Sequence, residues 1–140
     1  MSLVGEDRVT TSSGRKLVSG GSRFESVFGY SRAVRVGPFV SVAGSTAMTA
    51  NGPVGGDDVL AQTREALRRI EAALEDAGAS LQDVMRTRFF VTDIREWEKV
   101  GQVHSEYFGH IRPASTIVEV SALVDPSLLV EIEADALVNE

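Results

Sequence analysis

A chain of 140 residues, 43% hydrophobic and 24% charged, has the length and composition of one folded domain with a buried core. It contains no cysteine, which excludes disulfides, thiolate nucleophiles and cysteine-ligated zinc together and suits a cytoplasmic protein. The net charge of −6 and pI near 4.9 weigh against a nucleic-acid surface, and no apolar run approaches the ~18 residues of a membrane span.

Residues 1–21 are polar and rich in Gly and Ser, and read as a flexible arm ahead of a single domain over 22–140. The N-terminus lacks the apolar core of a signal peptide. From Tyr30, "YSRAVRV", the Gly37-Pro38 turn and "FVSVAG" predict two strands with a tight connection. Asn51-Gly52 within "TANGPVGG" signals a hairpin between two short extended runs. Leu60, Thr63, Leu67, Ile70 and Leu74 then form one helical stripe, with Asp57 or Asp58 placed to cap it and Gly78 to end it. The Arg68–Arg69 pair falls on the wet side of that helix.

"VMRTRFFVTD" predicts another strand. Asp93 and Glu96 form a capping box for a second helix, whose buried stripe is Trp97, Val100, Val103 and Tyr107 and whose end is Gly109. Pro113 prevents its resumption. "STIVEVSAL" and "LLVEIEADALV" close the chain as strands, the last placing Val130, Ile132, Ala134, Ala136 and Val138 on one face and Glu131, Glu133 and Asp135 on the other. The order β-β-β-α-β-α-β-β describes an α+β sandwich of two helices on one sheet face. No helix remains for the second face, whose mixed residues predict burial by other subunits.

"GYSRAVRVGPFVSVAG", "AQTREALRRIEAALEDAGASLQDVMRTRFFVTD", "EYFGHIRPAS" and "VEV…VEIEA" resemble the Rid family of reactive-intermediate deaminases, also known as YjgF-type or endoribonuclease L-PSP and translation-inhibitor proteins, over about residues 22–138. The resemblance implies a chorismate-mutase-like fold and a homotrimer whose sheets form a central β-barrel, with ligand clefts between subunits. Members acting on enamines and imines such as 2-aminoacrylate bind the substrate carboxylate with an arginine and place a water with a backbone amide and carbonyl and a glutamate, while a tyrosine closes the cleft. Carried over by position, the tyrosine is Tyr30, the glutamate Glu131 and the backbone groups those of Ala43 and Gly44; a position often cysteine in the family is Ile117. No cofactor is implied. The arginine's position is Ser115. A hydrogen bond to a charged group is worth about 1.5–3 kcal/mol, so its loss costs roughly 10- to 150-fold in binding. Ser115 therefore argues against the standard arginine-dependent imine deaminase and for a trimer that binds a small carbonyl, imine or carboxylate metabolite. A 2-iminobutanoate/2-iminopropanoate-type hydrolytic deaminase, an endoribonuclease or translation inhibitor, and a protein-binding role are the alternatives.

Another cation is available in Arg88. If Thr87, Phe89 and Val91 meet the helices, Arg88 points to the barrel side with Ser115 and Glu119, where it either enters the cleft paired with Glu119 or Glu131 or forms a structural ion pair. Arg112, before Pro113, reads as surface. His104 and His110 lie six residues apart and no cysteine accompanies them, a poor basis for a metal site. Glu131 and Glu133, ~6.5–7 Å apart along a strand, are either a working pair or solvated acids. Tyr30 is either a cleft-lining aromatic or a half-buried strand residue. Ser115 has no sequence-adjacent base that would make it a nucleophile.

Overall fold

A computed structural model describes residues 8–139. A seven-stranded sheet is built from β1 (Val9–Ser12), β2 (Arg15–Val18), β3 (Ala33–Val36), β4 (Phe39–Ser45), β5 (Val84–Val91), β6 (Ala114–Glu119) and β7 (Val130–Leu137), in the spatial order β1-β2-β3-β4-β7-β5-β6. Every neighbouring pair is antiparallel except β5 and β6, which run parallel with α3 (Trp97–Phe108) between them in the chain. α2 (Val59–Asp76) and α3 share one sheet face, and the short α1 (Arg23–Phe28) joins β2 to β3. No helix among the described residues is long and apolar enough to cross a membrane.

The core lies between the helices and one sheet face. Leu67, Ile70 and Leu74 of α2 and Val100, Val103 and Phe108 of α3 are buried with Val40, Val42, Phe89, Val91, Ile132 and Ala134. The two predicted stripes therefore do the packing, with one exception. Trp97 is 54% exposed, because Ile94–Glu96 form a separate 3-10 turn and the tryptophan becomes the first residue of α3. Asp93 caps that turn by accepting from the Arg95 amide at 3.0 Å. Asp58 is the cap of α2, accepting from the Leu60 amide at 2.9 Å.

Two expectations need correction. The stretch read as a flexible arm carries, over residues 9–18, a hairpin that extends the sheet; residues 1–7 lie outside the described residues. Ser13 and Gly14 have φ of 52° and 77°, the positive pair of a type I′ turn, and Val18 contributes to the core. Past it, Ser22 and Glu25 form a capping box and Gly29 ends α1 at φ 86°. The Asn51-Gly52 stretch, in contrast, is a turn with no strands around it. Thr49 and Gly52 exchange backbone bonds of 3.0 and 3.1 Å, but Pro53 has no amide to donate and Gly55 and Gly56 stand at positive φ. The sheet thus gains β1 and β2 and lacks the strand expected near residue 51.

Neither α2 nor α3 covers the other sheet face. Val34, Val36, Phe39 and Leu137 lie at its β3–β4 end, and Phe90 and Val118 at its β5–β6 end. Arg88, Glu131, Glu133 and Asp135 lie between them.

Candidate functional site

The sequence-predicted residues fall into two groups on opposite faces. The first forms where β4 leaves its register against β7 between Val42 and Ser45, a bulge containing Ala43 and Gly44. The Glu131 side chain fills the space beside Gly44, so that any side chain there would collide with its carboxyl group. Arg32 approaches the same spot from the start of β3. It donates from Nη1 to Ser45 Oγ at 3.0 Å and from Nη2 to the Gly44 carbonyl at 2.9 Å. Its guanidinium lies 5.6 Å from the centre of the Tyr30 ring, a cation–π distance, and its Nε is buried with no hydrogen-bond partner. Burial pushes the Glu131 carboxyl above the usual carboxylate range; the positive charge of Arg32 partly opposes the shift and Glu133 adds to it. A carboxyl raised by desolvation in this way is suited to exchanging a proton with a bound group.

Tyr30 and Ala43 also line an open groove of about 660 Å³, with Arg15, Ser41, Glu133 and Asp135. Tyr30 takes its place from α1: its amide donates to the Glu25 carbonyl at 3.0 Å, and its ring meets Phe28 edge-on at 6.0 Å.

Arg88 is on the open face as expected, but with other partners. Its Nη1 lies 2.9 Å from Asp135 and 3.3 Å from Glu133, because the antiparallel register sets Arg88 opposite Glu133. Two carboxylates neutralise it. Glu119 instead accepts from the Ile94 amide at 3.0 Å.

Ser115 faces the opposite way from the expectation. The parallel register pairs Thr87 with Ser115, Phe89 with Ile117 and Val91 with Glu119, and paired residues of adjacent strands share a face. Ser115, Ile117 and Glu119 thus lie on the helix side, where Ile117 packs against the core, while Arg88 lies on the other. Thr87 Oγ1 is hydrogen-bonded to Ser115 Oγ at 2.8 Å and to Nε2 of His104 at 2.9 Å. The His104 ring is half-buried between Phe89 (5.2 Å) and Phe108 (4.8 Å), and desolvation lowers its proton affinity. β6 is the outermost strand, so Ser115 is exposed at the sheet edge, two strands from Glu131. A single chain does not bring the two groups together.

Sequence reasoning gave no site role to Arg32 or Thr87 and weighed His104 only as a metal ligand. Arg32 stands inside the quoted motif around Tyr30 and was legible there as a charged residue next to the cleft tyrosine. His104 follows Val100 by four residues on the buried stripe, but its meeting with Thr87 depends on how α3 packs on β5.

Comparison with known proteins matches the endoribonuclease L-PSP family to residues 20–138. A RutC family protein of Pyrococcus abyssi is 41% identical over 108 residues, 76% of this chain and 84% of that protein. The 3-aminoacrylate deaminase RutC of Acinetobacter baylyi is 42% identical over 79 residues, 56% of this chain and 62% of the relative. Among solved structures, Rv2704 of Mycobacterium tuberculosis, a member of the YjgF/YER057c/UK114 family, is 61% identical with a TM-score of 0.82, covering 89% of this chain and 99% of its own.

Proposed function

The chain belongs to the endoribonuclease L-PSP family, the YjgF or Rid proteins, and on that premise we propose that it forms a homotrimer binding a small carbonyl, imine or carboxylate metabolite in clefts between subunits. The observation that carries this reading is the Glu131 carboxyl, desolvated beside Gly44 with the Arg32 guanidinium and Tyr30 ring next to it. In the proposed cleft Tyr30 covers the ligand, the backbone at Ala43 and Gly44 supplies an amide and a carbonyl, and Glu131 exchanges a proton with a bound water or ligand. Ser115, Ile117 and Glu119, exposed or half-exposed at the sheet edge, form the wall that a neighbouring subunit presents to this groove. The uncovered apolar positions of the other face, Val36, Phe39 and Val118, support association of subunits through it.

A second reading is favoured by the relative named as a 3-aminoacrylate deaminase: hydrolytic deamination, with Glu131 delivering water to an imine carbon. The RNA-cleaving reading has less support, since the net charge is −6 and the basic Arg68 and Arg69 are both paired with Glu65.

Ammonia release from enzymatically generated 2-aminoacrylate separates the two readings, run beside an NMR titration that follows Tyr30. Metabolite binding alone predicts background ammonia, a perturbed Tyr30 ring, and a rise in ammonia when Ser115→Arg restores the cation. Deamination predicts release by the wild type that falls at least about 100-fold in Glu131→Gln, the range of a lost acid–base group. Background ammonia from both the wild type and Ser115→Arg, with no change at Tyr30 on adding pyruvate or pyruvamide, sinks both.

A further inference from the structure

The three groups His104, Thr87 and Ser115 form a hydrogen-bonded chain that begins inside the helix layer and ends on an exposed edge strand. The spacings of 2.8 Å from Thr87 Oγ1 to Ser115 Oγ and 2.9 Å to Nε2 of His104 admit two polarities, and the His104 tautomer decides between them. With Nε2 protonated, Thr87 accepts from His104 and gives its one hydrogen to Ser115, which keeps its own hydrogen free. The chain is rigid where it starts: the imidazole is packed between Phe89 and Phe108, and Thr87 is fully buried. It is open where it ends.

We propose that Ser115 is the ligand-binding donor of the cleft, oriented by Thr87 and His104, and that it selects an uncharged acceptor such as an amide or ketone oxygen over a carboxylate. The inference rests on the small-metabolite reading above and names the class of ligand group that meets this wall. Three observations carry it. With Nε2 of His104 as the first donor, each hydroxyl in the chain accepts one bond and donates the next, which polarises the outermost O–H without giving it charge. No cation stands on this face of β6: Arg86 reaches Thr116 on the opposite face at 3.3 Å, and Arg112 lies outside the strand, ahead of Pro113. The same face also carries Glu119, ~13 Å along the strand by its rise, so the charged group of this wall is an anion and not a cation. From Ser115 to Ile117 to Glu119 the wall therefore offers a neutral donor, an apolar contact and a carboxylate. This suits a ligand with an acceptor at one end and no negative charge. His104 and Thr87 are positioning residues, since neither reaches the ligand.

The test compares pyruvamide with pyruvate, which match in shape and differ in charge, by NMR titration of the full-length protein labelled with 15N at histidine. The expected result is at least about 10-fold tighter binding of pyruvamide by the wild type, with a shift of the protonated Nε2 signal of His104. Ser115→Ala loses about 3- to 10-fold in pyruvamide affinity, the range of one neutral hydrogen bond, with little change for pyruvate. Ser115→Arg reverses the preference. Thr87→Val removes both the affinity and the Nε2 response, while Thr87→Ser keeps both, which separates orientation from a folding defect. Equal or tighter binding of pyruvate by the wild type overturns the proposal, as does an unprotonated Nε2 or an unchanged pyruvamide affinity in Ser115→Ala. If the compounds disturb Tyr30 but ignore Ser115 and Thr87, the donor chain alone is wrong. If neither compound perturbs any of these residues, the metabolite-binding reading falls with it.

Discussion

Two glutamates with opposite environments make the residue scale measurable. Glu65 accepts from Arg68 at 2.6 Å and from Arg69 at 2.7 Å, and these hydrogen bonds hold its carboxyl down to about 2. A depressed carboxylate stabilises the fold at pH above its ordinary value of 4.5, and the contribution disappears as pH falls toward 2. It amounts to no more than about 3 kcal/mol, since Arg68 is largely in water. Glu131 works the other way. Its carboxyl is raised by burial, so the folded state prefers the proton, and stability falls as pH climbs from 4.5 through the folded value. Thermal unfolding of wild type, Glu65→Gln and Glu131→Gln from pH 2.5 to 8 checks both signs. Wild type should exceed Glu65→Gln in melting temperature at neutral pH and converge with it in acid. Against Glu131→Gln it should lose ground as pH rises. A difference from Glu131→Gln that does not change with pH would show that the carboxyl is not desolvated.

At the scale of elements, the hairpin of β1 and β2 is part of the sheet because Val18 enters the core at 1% exposure, paired with Val9 on one side and Ala33 on the other. Val18→Ala should cost roughly 2 kcal/mol in urea unfolding, whereas Thr11→Ala, on an exposed position of β1, should stay within about 0.5 kcal/mol. Equal small effects would mean that the segment adds nothing to stability. The helices and β7 were legible because their signals are local: Leu67, Ile70 and Leu74 repeat at helical spacing, and Val130 to Ala136 alternate without interruption. "VTTS" and "RKLV" are too short to show a period, and the strand that completes them, β3, lies beyond α1. Side-chain direction on β6 was not legible either. A shift of one residue in its register against β5 moves Ser115 from one face to the other, and nothing within "RPASTIVEV" sets that register. The partners of Arg88 were hidden for the same reason, being fixed by where β7 lies beside β5. Tyr30 and Glu131 were placed by resemblance alone, whereas Arg32, which joins the Gly44 carbonyl to the Tyr30 ring, stands in the motif itself.

For the whole molecule, the separation of the two groups constrains how any site is completed. Ser115 lies on the helix side at one edge of the sheet, while Glu131 and the groove lined by Tyr30 lie on the other face, so one ligand can touch both only if they belong to different chains. The uncovered face offers the means of association. Val36, Phe39 and Val118 are 46%, 63% and 41% exposed on it, flanking the Arg88–Glu133–Asp135 ion pairs. Burial of these apolar groups against another copy is favourable, while the Arg88–Glu133–Asp135 cluster, with one carboxylate in excess, opposes it by its desolvation cost. For the proposed homotrimer, sedimentation equilibrium should give three times the 15.0 kDa chain mass. Val118→Asp puts a carboxylate beside Phe90, its register partner on β5, and should shift the equilibrium toward the single chain. Binding of pyruvamide should fall in step with the trimer fraction, although no residue of the Ser115 chain has changed. A monomeric Val118→Asp that still binds as the wild type does would mean that each chain holds a complete site, and the division of the cleft between subunits would be wrong.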